Sequence, residues 1–256
     1  MVTYPLLLSK HFKPILEILT MKNIITLNVQ GEAFYDNTDI EVITLTHGND
    51  VFIAHSAMTY SGVSAEEVTS CLADKATSDF DYSKLNITLK PCFAVIDIVR
   101  SAVEWIYSRK PDTVVTWHME YDVNLLTCLA KNLHLTLGEL LHGKDSGIEV
   151  TYYKDESTIP VHPADRDITL TSSDGMRYIN AINSYRKTPF GKKCDTYQLS
   201  HILDKSYELP TIYSEEDEKP IGITAHEKQC RENPVHYIAQ AVADDIALGR
   251  LTEDFL

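Results

Sequence analysis

Apolar residues crowd one short run near the start of the chain, 23–36, which reads NIITLNVQGEAFYD. Ile24, Ile25, Leu27 and Val29, with small or amide residues between them, predict a buried strand over residues 24–29. Further strands are expected over residues 41–46 and 51–54, and the HGND between them is a turn signal that makes the pair a hairpin. Residues 10–21 carry helical spacing, with Ile15, Ile18 and Leu19 on one side. Ser64-Ala-Glu-Glu67 reads as a capping box that opens a helix to about residue 76. Val95, Ile98, Val99, Ala102, Trp105 and Ile106 stripe a helix over 92–109, which Lys110-Pro111-Asp112 ends. A strand over 113–117 and a helix over 121–133 follow. Residues 143–174 are polar and irregular, with strand patterns at 148–153 and 167–171. Helices are expected at 176–186 and 197–203. Asn233 caps a last helix with Pro234 at its first position, running to about residue 249. This order predicts an α/β fold, a mixed sheet flanked by helices. One domain is expected over 22–256, with a helical extension at 1–21 and a variable insertion around 143–175.

Composition narrows the class. The chain has 256 residues, 44% of them hydrophobic, so it can bury a full core. Leu6, Leu7 and Leu8 are too short a burst for a signal segment. No run reaches the roughly 18 apolar residues of a membrane span. Cys71, Cys92, Cys128, Cys194 and Cys230 are scattered and form no CxxC pair, which points to a reducing, cytoplasmic compartment. A net charge of −14 argues against a protein that coats nucleic acid through lysine and arginine, so any DNA contact must be local or supplied by a partner. The acidic stretch at 214–220, SEEDEKP, is expected to be a solvated loop.

Three polar features stand out from the apolar pattern. Asn28 and Gln30 are two amides one residue apart at the end of the most hydrophobic strand. Asp122 falls where the strand VVTW gives way through HMEYD to a helix, and by itself it reads as a helix N-cap. In the last helix Val235, Ile238, Val242 and Ile246 form the core stripe. Asp244 stands four residues after Gln240 and seven after Tyr237, so these three share a different face. Alone, Asp244 reads as a solvent-facing acid beside Asp245.

Together, in this order, NVQ, WHMEYD and YIAQAVADD resemble the three exonuclease motifs of family B DNA polymerases, most closely the bacteriophage type. INSYRK at 182–187 and TYQLSHIL at 196–203 stand where that family carries its intervening helices. The resemblance spans about residues 22–250. It implies a ribonuclease H-like, DnaQ-like proofreading fold and 3′–5′ hydrolysis of single-stranded DNA ends. It further implies two Mg2+ or Mn2+ ions held by carboxylates about 3.5–4 Å apart. By that resemblance the metal positions are Asn28, Gln30, Asp122 and Asp244, with Gln240 and His118 beside them. Phe34, Tyr35 and Tyr121 are candidates for stacking a frayed base.

Four of these positions depart from the family pattern. Its first motif, Asp-x-Glu, is Asn28-x-Gln30 here, which keeps the shape and removes two negative charges. The motif asparagine is His118, and the motif tyrosine falls on Gln240. Hydrolysis is therefore expected to be impaired or absent. The exact isosteres at 28 and 30 are what deliberate charge removal would give, whereas the changes at His118 and Gln240 point to natural divergence. No polymerase palm signature is present, so the expected partners are a single-stranded DNA 3′ end and a separate polymerase subunit. The alternative is a non-catalytic module of the same fold that binds a polymerase, a transcription complex or a host protein.

Overall fold

The computed structural model describes residues 23–34, 37–143, 147–154, 168–194, 199–207 and 232–255. The expected helix at 10–21 and the acidic loop at 214–220 lie outside the described residues, as does much of the 143–175 insertion.

One eight-stranded mixed sheet, in the order β4-β3-β2-β1-β5-β8-β7-β6, forms the centre of the molecule. β1 (Ile24–Phe34), β2 (Asn37–His47) and β3 (Asp50–Ser56) are antiparallel neighbours. The HGND turn joins the last two as expected, with Gly48 at φ +59°. β1 does not stop at Val29. It bulges between Gln30 and Gly31 and continues to Phe34. Only glycine permits this, because a Cβ on Gly31 would lie 2.1 Å from the Asp39 carbonyl oxygen.

α1 (Ala65–Ala73) opens with the predicted capping box. The Glu67 amide donates to Ser64 Oγ at 3.2 Å, and the Ser64 amide donates to the Glu67 carboxylate at 2.9 Å. Next comes β4 (Asn86–Cys92), parallel to β3, in a stretch where the apolar pattern predicts no strand. Cys92 therefore ends a strand instead of starting a helix, and α2 spans Val95–Arg109. β4 is an edge strand, and only its last residue, Cys92, is fully buried, so its apolar signal is thin. β5 (Thr113–Thr116) runs parallel to β1 and leads into α3 (Met119–Asn132). A second capping box, Thr136 with Glu139, opens the short helix α4 (Leu137–His142), which the periodicity did not predict.

The insertion supplies β6 (Val150–Lys154) and β7 (Ile168–Ser172), an antiparallel pair close to the expected positions. The helix expected from residue 176 begins instead as β8 (Arg177–Asn180), parallel to β5. Only then does α5 (Ala181–Lys187) start. RYIN has too few residues to show a period, and pairing with the buried β5 decides it. α6 (Leu199–Ser206) and α7 (Pro234–Phe255) complete the order. α7 runs past the expected stop at Gly249.

The helices form two layers. α2 and α3 cover one face with Ile98, Val99, Ala102, Leu125 and Leu129, packed on Ile25, Leu27, Val29, Ile43 and Leu45. α1 and α7 cover the other with Val68, Leu72, Ile238, Val242 and Leu248. This is the expected mixed α/β sheet flanked by helices, and it is compatible with a ribonuclease H-like fold. The turn between β7 and β8 is fastened to α2 and α4. Tyr107 of α2 bonds to His142 Nδ1 and donates to Asp174 at 3.1 Å, and Ser172 Oγ lies 3.3 Å from His142 Nε2. Among the described residues no helix is long and apolar enough to cross a membrane.

Candidate functional site

β1, β5 and β8 are parallel, so their C-terminal ends lie at one end of the sheet. β5 pairs with β1 only over Ile24–Thr26. Past that point the Asp122 carboxylate takes over, accepting from the Val29 backbone N–H and from the Thr116 hydroxyl. Asp122 is thus bonded to the residue between Asn28 and Gln30. It is not the N-cap of α3. His118 holds that position, and its carbonyl accepts the N–H groups of Tyr121 at 2.9 Å and Asp122 at 3.2 Å. Burial, only partly offset by those two hydrogen bonds, pushes the Asp122 pKa up to about 7. A cavity of about 30 Å³ on the α2 and α3 side, apolar in its lining, has Asp122 and Thr116 in its wall.

Side chains alternate along β1, so Thr26, Asn28 and Gln30 share the face opposite Leu27 and Val29. α7 covers that face. A Cβ on Gly249 would lie 3.4 Å from the Thr26 methyl. Asn28 and Gln30 are half-buried. The Gln30 Oε1 atom is buried and has no hydrogen-bond partner among the described residues. Asn28 stands opposite Thr44 in the β1–β2 register.

The acid that α7 delivers to this register is Asp245. The Thr44 hydroxyl donates to Asp245 Oδ2, and Asp245 is 1% exposed. Burial raises its pKa well above the carboxylate range; Thr44 opposes this, and the charges of Asp244 and Asp122 add to the rise. Asp244 faces elsewhere. It accepts from Gln240 Nε2 at 2.9 Å, and its charge adds to the burial that pushes the Tyr82 hydroxyl upward. The expected Gln240–Asp244 neighbourhood is therefore present, and the charge of Asp244 is felt at Tyr82. Tyr237 is buried and stacks on Tyr60, with ring centroids 6.1 Å apart.

His118 and Tyr121 are exposed on the rim. The Tyr121 hydroxyl donates to the Gly31 carbonyl, which fixes the first turn of α3 against the β1 bulge. The backbone of Phe34 ends β1 opposite Asn37, and Tyr35 lies outside the described residues. Asn180, which the motif comparison does not single out, ends β8 opposite Thr116. It is 6% exposed and donates to Asn183 at 3.0 Å, and its own Oδ1 has no partner among the described residues.

The sequence did hold a signal for Asp245. It falls seven residues after Ile238 and three after Val242, on the apolar stripe, where an acid is out of place. Thr44, Thr116 and Asn180 carry no comparable signal, since each is a common residue in or beside a strand.

Two dications need a concentration of anionic oxygen. At this strand end the two amides are neutral, and Asp122 and Asp245 already accept from threonine hydroxyls while burial favours their protonated forms. Among the described residues no three His, Cys, Asp or Glu side chains converge. This donor set does not fit the two-metal centre that the motif resemblance implies. No family model matches the chain, and no curated protein matches it.

Proposed function

We propose that this chain is a 3′–5′ exonuclease-type module of ribonuclease H-like architecture whose hydrolytic centre has been disarmed. The observation that supports this best is the position of Asp122. It bonds to the backbone between Asn28 and Gln30, so the second-motif acid meets the first-motif strand while the two first-motif side chains bring no charge. In a low-dielectric pocket each missing carboxylate weakens attraction for a dication by several kcal/mol, on the order of the Coulomb energy of close charges at intermediate dielectric. The single-stranded DNA 3′ end would approach along the rim that His118 and Tyr121 occupy, with Tyr121 as a stacking surface.

The test compares the wild-type chain with the Asn28→Asp/Gln30→Glu double variant on 3′-labelled single-stranded DNA with Mg2+ or Mn2+. The wild type is expected to leave the label intact, and the double variant to release it. Failure of both, together with no detectable DNA binding, would count against the proposal. That outcome would favour a second reading, a non-catalytic module that docks on a protein partner. The net charge of −14 is the observation that supports this second reading, because it suits a basic protein surface better than a phosphate backbone.

A further inference from the structure

The α7-facing side of the β1–β2 pair carries a buried polar seam. Thr26, Thr44 and Thr46 are 2%, 0% and 5% exposed, on a face that elsewhere packs Val42, Ile238 and Val242. Thr26 and Thr46 bond to each other through their hydroxyls. Thr44 has no such cross-strand partner, because Asn28 stands opposite it, and its hydroxyl goes to Asp245. One helical turn further along, α7 passes Thr26 at Gly249, where a Cβ would lie 3.4 Å from the Thr26 methyl. The seam thus fixes the rotation of α7 through Asp245.

We propose that Asp245 and Thr44 form a metal-independent lock that fastens α7 to the β1–β2 pair beside the disarmed centre. This rests on the reading of Asn28 and Gln30 as replacements for metal-binding acids. In a two-metal enzyme the dications themselves join the first strand to the last helix, since both elements supply ligands. Here the donor set does not suit dications, and a hydrogen bond between two fully buried side chains makes the connection. Asp245 is on this account a structural acid, and Asp244, on the adjacent face, is not part of the lock. A buried carboxyl is tolerated at this point because Thr44 supplies its donor, and removing either partner alone leaves the other unsatisfied.

A double-mutant cycle on the wild-type background tests the lock. Wild type, Thr44→Val, Asp245→Leu and the double variant are unfolded thermally, once with chelator and once with excess MgCl2 or MnCl2. Each single variant is expected to lower the midpoint by several degrees, and the double variant to lose clearly less than the sum of the two. The wild-type midpoint is expected to be the same under both conditions. Losses that simply add would overturn the lock. So would a wild-type midpoint that rises with dication and loses that rise in Asp245→Asn, because Asp245 would then be a ligand. If Asp245→Leu does not fold, Asp245→Ala replaces it in the cycle. None of these measurements depends on nuclease activity, so failure of the lock and failure of the exonuclease reading can be told apart.

Discussion

The two faces of β1 meet different demands. Ile25, Leu27 and Val29 look toward α2 and α3 into a mainly apolar layer, with Asp122 and Thr116 at its edge. Thr26, Asn28 and Gln30 look toward α7 and meet threonine, an aspartate one strand away, and at Gln30 an acceptor with no partner among the described residues. The stretch from Ile25 to Gln30 therefore serves as plain packing on one side and as a polar surface on the other. A sheet needs one well-packed face to be stable, and polar groups on the second face require a compensating partner or a role. The polar face of β1 carries threonine and amide side chains and no charge of its own between Thr26 and Gln30.

The contrast can be broken most forcefully from the apolar side. Ile25→Ala should cost about 2–5 kcal/mol in urea unfolding, because Ile25 is fully buried beneath α2 and α3. Asn28→Ala on the opposite face should cost far less, and equal losses at the two positions would remove the distinction.

A pH series probes the junction between the faces. The folded-state pKa of Asp122 is raised to about 7 from an ordinary value of 3.8, so the folded chain favours the protonated acid. Its stabilising contribution is complete below about pH 3.8 and is lost as pH rises through about 7. The isosteric Asp122→Asn variant mimics the protonated form. Its stability relative to wild type should be level at low pH and should improve toward pH 8, by an amount on the order of a few kcal/mol. A difference that does not change with pH would mean that the fold leaves the Asp122 pKa at its ordinary value, and one that moves the other way would mean that the fold favours the ionised acid.

Thr44→Val should cost about 1–3 kcal/mol, because Asp245 is left buried without its donor. The same change at Thr171, exposed on β7 and outside the junction, should be close to neutral, within about 0.5 kcal/mol. The smallest loss expected from removing a hydrogen bond is at the rim. Tyr121→Phe removes the hydroxyl that donates to the Gly31 carbonyl and should cost about 0.5–1.5 kcal/mol. Amide hydrogen exchange in the β1–β2 ribbon beyond the bulge should quicken in this variant, and unchanged exchange would show that the bulge needs no support from α3.

Elements with a long or well-capped pattern were legible in the sequence. The capping box at Ser64, the stripe of α2 and the hairpin at Gly48 all follow from local chemistry that needs no distant partner. β4 and β8 were not legible. Both are short, and both exist because a neighbouring strand offers hydrogen bonds, which is a non-local cause. The candidate site divides the same way. Asn28, Gln30 and Asp122 could be singled out from residue type and order. The pairing of Asp245 with Thr44 could not be, because 201 positions separate them.

By itself the sequence determined which residues could carry charge and which could not, and that the first strand carries two amides one residue apart. It also determined the helix caps and turns, because these depend on neighbours within a few residues. Only the tertiary structure decided which of two adjacent aspartates faces the sheet. A rotation of about 100° per helical residue separates them, and it is set by how α7 packs on β1 and β2, with Gly249 against Thr26. It also decided that Asp122 is a buried acid bonded to a neighbouring strand and not a cap. Burial and strand register, which no local pattern encodes, produce that outcome.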